Sequence, residues 1–210
     1  MTTQEDVEFV VRNVAETACE QEDYFCQLDS VVGDGDFGYS LARGFERVLQ
    51  EWDDYDRSDP GIFLMKVAKT IMSRVGGTSG PIWGTAFLRA GSTLKGLDEA
   101  SGADVVEALR ASVVGIKARG QAELGEKTLL DSLVPAIDTL EAEMAGGAGT
   151  ADSLAAMAVT ARQTAEATAA LQARRGRASY TGERSIGSVD AGAMGVAVFI
   201  EKLAQAWQRR

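Results

Sequence analysis

Ser58-Asp59-Pro60 opens the stretch SDPGIFLMKVAKTIMSR, residues 58–74, and this stretch decides the fold class. Ser58 and Asp59 supply a cap. Proline then sits at the first helical position, where its missing N–H costs nothing because the first N–H groups of a helix have no intrahelical partner. The apolar residues that follow recur at helical spacing. Working outward, the same spacing recurs almost everywhere in the chain, and alternation sustained long enough for a strand is hard to find. Candidate helices span 4–19, 39–52, 60–74, 80–94, 103–118, 127–143, 151–173 and 191–208, eight in all. The turn Ala145-Gly146-Gly147-Ala148-Gly149 punctuates the chain before Thr150. The fold class read from this pattern is all-α. The Ala- and Thr-rich helix over 151–173 suits close helix packing and carries no chemistry, and Trp52, Trp83 and Trp207 read as packing residues.

Length and composition bound the rest. A chain of 210 residues buries a substantial core, and no compositional break divides it, so residues 1–210 are read as a single domain. Hydrophobic residues make up 45% and charged residues 25%, ordinary globular usage. A formal net charge of −10 repels phosphate backbones and anionic headgroups, which argues against nucleic acid and membrane surfaces as general partners. Cys19 and Cys26 do not make a disulfide framework and fit a reducing cytosol. The N-terminus lacks a basic segment followed by an apolar run, and no apolar run reaches ~18 residues. A cytoplasmic location is therefore expected. There is no histidine, so any histidine base, phosphohistidine or histidine ligand must come from another chain.

Four segments are denser in Gly, Asp, Ser, Thr and Arg than a turn requires. The first is Leu28-Asp29-Ser30-Val31-Val32-Gly33-Asp34-Gly35-Asp36-Phe37-Gly38. Three carboxylates within eight residues repel one another unless a cation neutralises them. Oxygen-only ligands select a hard ion, and the spacing is not that of an EF-hand, which favours Mg²⁺ shared with substrate phosphates. Asp36 also reads as a helix cap with the other aspartates solvated, and capping and ligation can coexist. The second segment is Val75-Gly76-Gly77-Thr78-Ser79-Gly80-Pro81 before an apolar helix, an anion nest or an ordinary Gly/Ser turn, and not a Walker A loop. The third runs over 119–131, where Lys127 and Thr128 in a helical first turn would contact phosphate, or Leu129 and Leu130 wall an adenine pocket, or a capped solvated helix simply begins. The fourth, over 173–190, holds Arg174, Arg175, Arg177 and Arg184 within eleven residues of an acidic chain. Guanidinium groups suit phosphate, and a solvated basic loop is the plain alternative.

Four strings, over 28–38, 76–84 (GGTSGPIWG), 125–135 (GEKTLLDSLVP) and 173–187 (ARRGRASYTGERSIG), match in order and spacing the nucleotide-binding (L) subunits of bacterial dihydroxyacetone kinases, the DhaL family. The resemblance covers essentially the whole chain. It implies an eight-helix antiparallel up-and-down barrel with the nucleotide site at one end. It implies that Asp29, Asp34 and Asp36 hold a pair of Mg²⁺ ions bridging the phosphates of ATP or ADP. The turn formed by Phe37, Gly38, Tyr39 and Ser40, then Thr78 and Ser79, Gly120, Leu129, Arg177, and the turn Asp190-Ala191-Gly192 would surround the phosphates and adenosine. Gly120 and Leu129 would flank the base, and Arg177 would meet phosphate. The chain departs from the family pattern at Phe37 and Ser188, where the family has histidine, and at Ala191, where it has proline.

The resemblance further implies a phosphotransferase subunit that works with a sugar-binding K subunit. That partner would hold dihydroxyacetone or a related small keto sugar through its own histidine while this chain delivers the phosphoryl group from Mg-nucleotide. The donor would be free ATP or a phosphotransferase-system protein that recharges bound ADP. A second reading is a nucleotide-sensing regulator acting on a transcription factor or a kinase partner, and a third is a Mg²⁺-dependent binder of another phosphorylated metabolite. A homodimer is compatible with all three.

Overall fold

The computed structural model describes all of residues 1–210, and its regular structure is helical: nine α-helices with three short 3-10 segments. The helices are α1 (Gln4–Glu20), α2 (Glu22–Ser30), α3 (Phe37–Gln50), α4 (Pro60–Arg74), α5 (Ser79–Leu94), α6 (Gly102–Gly120), α7 (Leu130–Ala145), α8 (Thr150–Ala167) and α9 (Ala191–Trp207). A single antiparallel bridge joins Thr2 to Ala100. The all-α expectation holds. No helix is long and apolar enough to cross a membrane.

Beyond shifts of one or two residues at helix ends, three boundaries differ from the sequence reading. Glu22–Ser30 forms its own helix, separated from α1 by Gln21 alone, with neither glycine nor proline at the break. Helix α7 starts at Leu130 rather than at residue 127, because Lys127 adopts a left-handed conformation (φ 63°). Helix α8 ends at Ala167, and a 3-10 turn over Thr168–Ala170 leads to Leu171 in extended conformation.

The chain forms two compact units. One comprises Met1–Glu20 and Ser40–Gln121, the other Gln21–Tyr39 and Ala122–Arg210. In the first, α5 packs against both α4 and α6. Asp59 caps α4 as its sequence signal requires, accepting the Ile62 N–H at 2.9 Å. Ser101 and Asp104 close a capping box at the start of α6. Phe63 is fully buried, with the rings of Trp52 and Tyr55 edge-on to it at 5.6 and 5.8 Å. The Tyr55 hydroxyl donates to Thr70 Oγ1 at 3.0 Å, and Thr70 donates to Glu51 at 2.9 Å, so the buried hydroxyls are satisfied.

In the second unit α8 packs against α7 and α9. Arg162 on α8 grips both carboxylate oxygens of Glu201 on α9 with one guanidinium edge, Nε at 2.7 Å and Nη2 beside it. Phe25 of α2 is fully buried, with Phe199 of α9 at 5.7 Å and Phe37 at 5.8 Å between ring centroids. This aromatic cluster seats α2 and the start of α3 on α9, and the loop between α2 and α3 is the acidic segment.

Close approach of α4 and α5 rests on glycine. A Cβ at Gly61 would lie 2.3 Å from the Gly91 carbonyl oxygen and 2.4 Å from the Lys95 nitrogen. Alanine ordinarily favours a helix over glycine by about 1 kcal/mol, but here it must push two backbones apart. Gly61→Ala is therefore expected to lower the unfolding free energy by about 1–3 kcal/mol in urea titration. A variant as stable as the parent, or more so, contradicts this packing.

Candidate functional site

Asp29 lies in the last turn of α2 and α3 begins at Phe37, so six residues carry the chain between the helices and deliver Asp34 and Asp36 beside Asp29. One carboxylate oxygen from each lies within 4.8 Å of the others. Asp29 is half-buried; Asp34 and Asp36 are exposed. The loop is tied back onto Asp29: its carbonyl accepts the Gly33 N–H at 2.6 Å and its carboxylate accepts the Gly35 N–H at 2.8 Å. Gly35 has φ 76°, a conformation that favours glycine. At Gly33 a Cβ would fall 2.2 Å from the Asp29 carboxylate, and at Gly38 it would fall 2.0 Å from the Glu22 carbonyl oxygen. The glycines of this segment thus admit the backbone approach that gathers the carboxylates. Tyr39 donates its backbone N–H to Cys26 Sγ at 3.2 Å, which fixes the first turn of α3 against α2.

Arg177 reaches the same cluster. Its guanidinium is ion-paired with Asp34 and lies 3.9 Å from Asp36. Three converging carboxylates with oxygen donors only, able to hold a guanidinium, fit a hard divalent cation such as Mg²⁺. Arg177 belongs to a loop over 171–188 that leaves α8's end and returns to α9. Leu129 and the Asp190-Ala191-Gly192 turn are also neighbours, since a Cβ at Gly192 would lie 3.4 Å from the Leu129 Cβ. Asp190 caps α9, accepting the Ala193 N–H at 2.7 Å.

The remaining expected residues lie in the other unit. Ser40 and the glycine loop are brought together: a Cβ at Gly76 would lie 3.1 Å from Ser40 Oγ. Gly77 has φ 59°, Thr78 precedes α5, and Ser79 is its first residue; Gly80 donates its N–H to the Gly76 carbonyl at 3.4 Å, and Pro81 has none to give. Gly120 is the last residue of α6, followed by Gln121 in left-handed conformation (φ 48°).

Two features escaped the sequence reading. Phe37, where the resemblance implies histidine, turns its ring to Phe25 and serves the apolar cluster. Lys127 is not a solvent-facing residue of a helical first turn. It is 2% exposed and its ammonium donates to four backbone carbonyls. The motif Thr128-x-x-Asp131 carried the signal for the later helix start: Asp131 accepts the Thr128 N–H at 2.8 Å, and Thr128 Oγ1 accepts the Leu130 N–H at 3.2 Å.

A family model, the DAK2 domain, matches residues 31–205, from the acidic loop into α9. The chain belongs to the DAK2 domain family. Among its relatives in sequence is the PEP-dependent dihydroxyacetone kinase, ADP-binding subunit DhaL, of Escherichia coli K12, 36% identical over 186 residues and covering 89% of each chain. The PTS-dependent dihydroxyacetone kinase, ADP-binding subunit DhaL, of Lactococcus lactis is 36% identical over 185 residues and 88% of each chain. Among solved structures, the dihydroxyacetone kinase from C. freundii in complex with AMP-PNP and Mg²⁺ superposes with a TM-score of 0.75 at 26% identity. That match takes in 95% of this chain and 33% of the other, so this DAK2 chain spans about a third of that kinase.

Desolvation pushes the Asp190 carboxyl up to about 7, with the carboxylates of Asp131 and Asp29 acting the same way and the Ala193 N–H and the Lys127 ammonium acting against them. A raised acid keeps its proton in the folded chain after the unfolded chain has lost it, so its contribution to stability falls as pH rises from about 4 to about 7. Asp190→Asn keeps the capping acceptor and removes the titration. The ligand-free variant is expected to match the parent near pH 4 and to exceed it in melting temperature at pH 8. Parallel melting curves across that range contradict the assignment.

Proposed function

We propose that this chain is the ADP/ATP-binding subunit of a dihydroxyacetone-type kinase. The single observation that carries the reading is the convergence of the Asp29, Asp34 and Asp36 carboxylates within 4.8 Å, in a chain of the DAK2 domain family. In this reading those carboxylates hold a pair of Mg²⁺ ions. Mg²⁺ bound there neutralises the phosphate oxygens and the charge that develops as the phosphoryl group transfers.

The chain's own residues bind and orient. Asp29, Asp34 and Asp36 fix the cations. Phe37, Gly38, Tyr39 and Ser40, in the first turn of α3, border the phosphates; the Tyr39 N–H stays with Cys26 Sγ, and the other three residues supply the backbone N–H groups, as a helix N-terminus does. Thr78 and Ser79 add N–H groups and hydroxyls. Gly120 and Leu129 flank the adenine. Asp190, Ala191 and Gly192 border the nucleotide, and Arg177 meets a phosphate oxygen as its guanidinium now meets Asp34. Positioning and charge neutralisation do the catalysis, so no covalent intermediate on this chain is needed.

In the same proposal residues 1–210 work as one nucleotide-binding domain in the cytoplasm. The acceptor, dihydroxyacetone or a related small keto sugar, is held by a separate K subunit, because this chain has no histidine to hold or deprotonate it. The bound ADP is recharged by a phosphotransferase-system protein or exchanged for ATP. The names of the E. coli and L. lactis relatives support the first route.

Reconstitution with a K subunit, dihydroxyacetone and either ATP or a phosphohistidine donor tests the proposal. Dihydroxyacetone phosphate is expected only when both subunits are present, and Asp34→Ala or Asp36→Ala is expected to abolish it without loss of helix content by circular dichroism. Turnover that survives either substitution overturns the metal assignment. Nucleotide binding with no transfer to any K partner would favour the regulatory reading, which the apolar seat of Phe37 also supports.

A further inference from the structure

Lys127 combines three features that a surface lysine does not show together. It is 2% exposed. Its backbone sits at φ 63°, where a side chain carries a steric cost that glycine does not. Its ammonium lies 2.9, 3.1, 2.8 and 2.5 Å from the carbonyl oxygens of Thr168, Leu171, Ser185 and Ser188. An ammonium has three protons, so four acceptors share them and the group acts as a caged cation.

The four carbonyls come in two pairs from the two ends of one loop. Thr168 and Leu171 lie where the chain leaves α8, Ser185 and Ser188 where it returns towards α9. Everything between is a strap, and Arg177 is carried on it. The base of the strap has further ties. Ala173 donates its N–H to Ser185 Oγ at 2.9 Å, and Gly187 donates to the Ala169 carbonyl at 2.8 Å. Beside Lys127, the Glu126 carbonyl accepts the Arg174 N–H at 3.0 Å, and its carboxylate pairs with Arg175 at 2.7 Å. The outer pair is exposed and contributes little. The ammonium is the charged tie at this base, buried like the Ala173–Ser185 bond, and it alone gathers two carbonyls from each end.

We propose that Lys127 is a positioning residue for nucleotide binding: its buried ammonium closes the base of the 171–188 strap and thereby holds Arg177 over the Asp34 and Asp36 carboxylates. The role rests on the reading of this chain as a Mg-nucleotide binder, and it adds a residue that touches neither metal nor nucleotide. The left-handed backbone at residue 127 is tolerated because it delivers the side chain into the carbonyl cage, so strain here points to function. Desolvation lowers the Lys127 pKa, opposed by the Asp190 carboxylate, as a cation held away from water requires.

A double-mutant cycle tests the inference, using Mg-ADP affinity by calorimetry for the parent, Lys127→Met, Arg177→Ala and the double variant. Loss of one charge-assisted contact to phosphate is expected to raise Kd about tenfold in Arg177→Ala. Lys127→Met is expected to cost a comparable factor, and the double variant no more than either single one, because Lys127 acts through Arg177. Lys127→Gly, which relieves the backbone but removes the cation, is expected to bind as poorly as Lys127→Met. In both, amides of the strap should exchange with solvent faster while those of α9 do not. Parent-like affinity in a folded Lys127 variant, or fully additive losses in the double variant, overturns the role. If no Lys127 variant folds, exchange in the parent decides it: the Arg174 and Gly187 amides should be protected as long as those of α9. Exchange as quick as in the exposed 147–149 turn overturns it. A parent that binds no Mg-nucleotide overturns the nucleotide reading itself, whereas equal binding by parent and variants overturns the part played by Lys127 alone.

Discussion

Three carboxylates held within 4.8 Å of one another are the constraint around which the second compact unit is arranged. Like charges at about 4 Å repel by about 4 kcal/mol at the effective dielectric of a protein surface. A chain keeps them there only if the backbone is tied and an opposite charge is supplied. The backbone ties are the Asp29 carbonyl and carboxylate, which collect the Gly33 and Gly35 N–H groups. The opposite charge in the structure is Arg177, carried by a strap whose two ends share the Lys127 ammonium. Acidic loop, basic strap and buried lysine form one electrostatic device spread over three separate stretches of sequence.

The fold was readable where local chemistry is decisive. Pro60 after Asp59, the small turn before Thr150 and helical spacing elsewhere located most of the helices, because caps, prolines and apolar stripes act within a few residues. Helix α2 was not separable: Gln21 alone divides it from α1, and the break is made by packing Phe25 onto Phe199, a contact between residues far apart in sequence. The start of α7 was misplaced for a related reason. Lys127 is an ordinary helix former by propensity, and only the distant carbonyls of Thr168 and Ser185 make a left-handed conformation worthwhile there.

The candidate site divides along the same line. Asp29, Asp34 and Asp36 announced themselves because three carboxylates crowded among glycines in one short loop repel one another until a cation joins them. The arginine-rich strap stood out as basic against an acidic chain, and the structure pairs its Arg177 with that loop. What stayed hidden was how the strap is fastened, since its acceptors are backbone carbonyls, which leave no mark on the side-chain pattern. Phe37 shows the converse case. The position was legible as a departure from the family pattern, and its consequence, a ring given to the Phe25 cluster, needed the structure.

Calorimetric titration of the metal-stripped parent protein with ADP is the direct test of whether this acidic loop binds nucleotide through a divalent cation. Saturable one-to-one binding is expected in the presence of Mg²⁺ and none in excess chelator. Equal binding with and without Mg²⁺, or none under either condition, would contradict it.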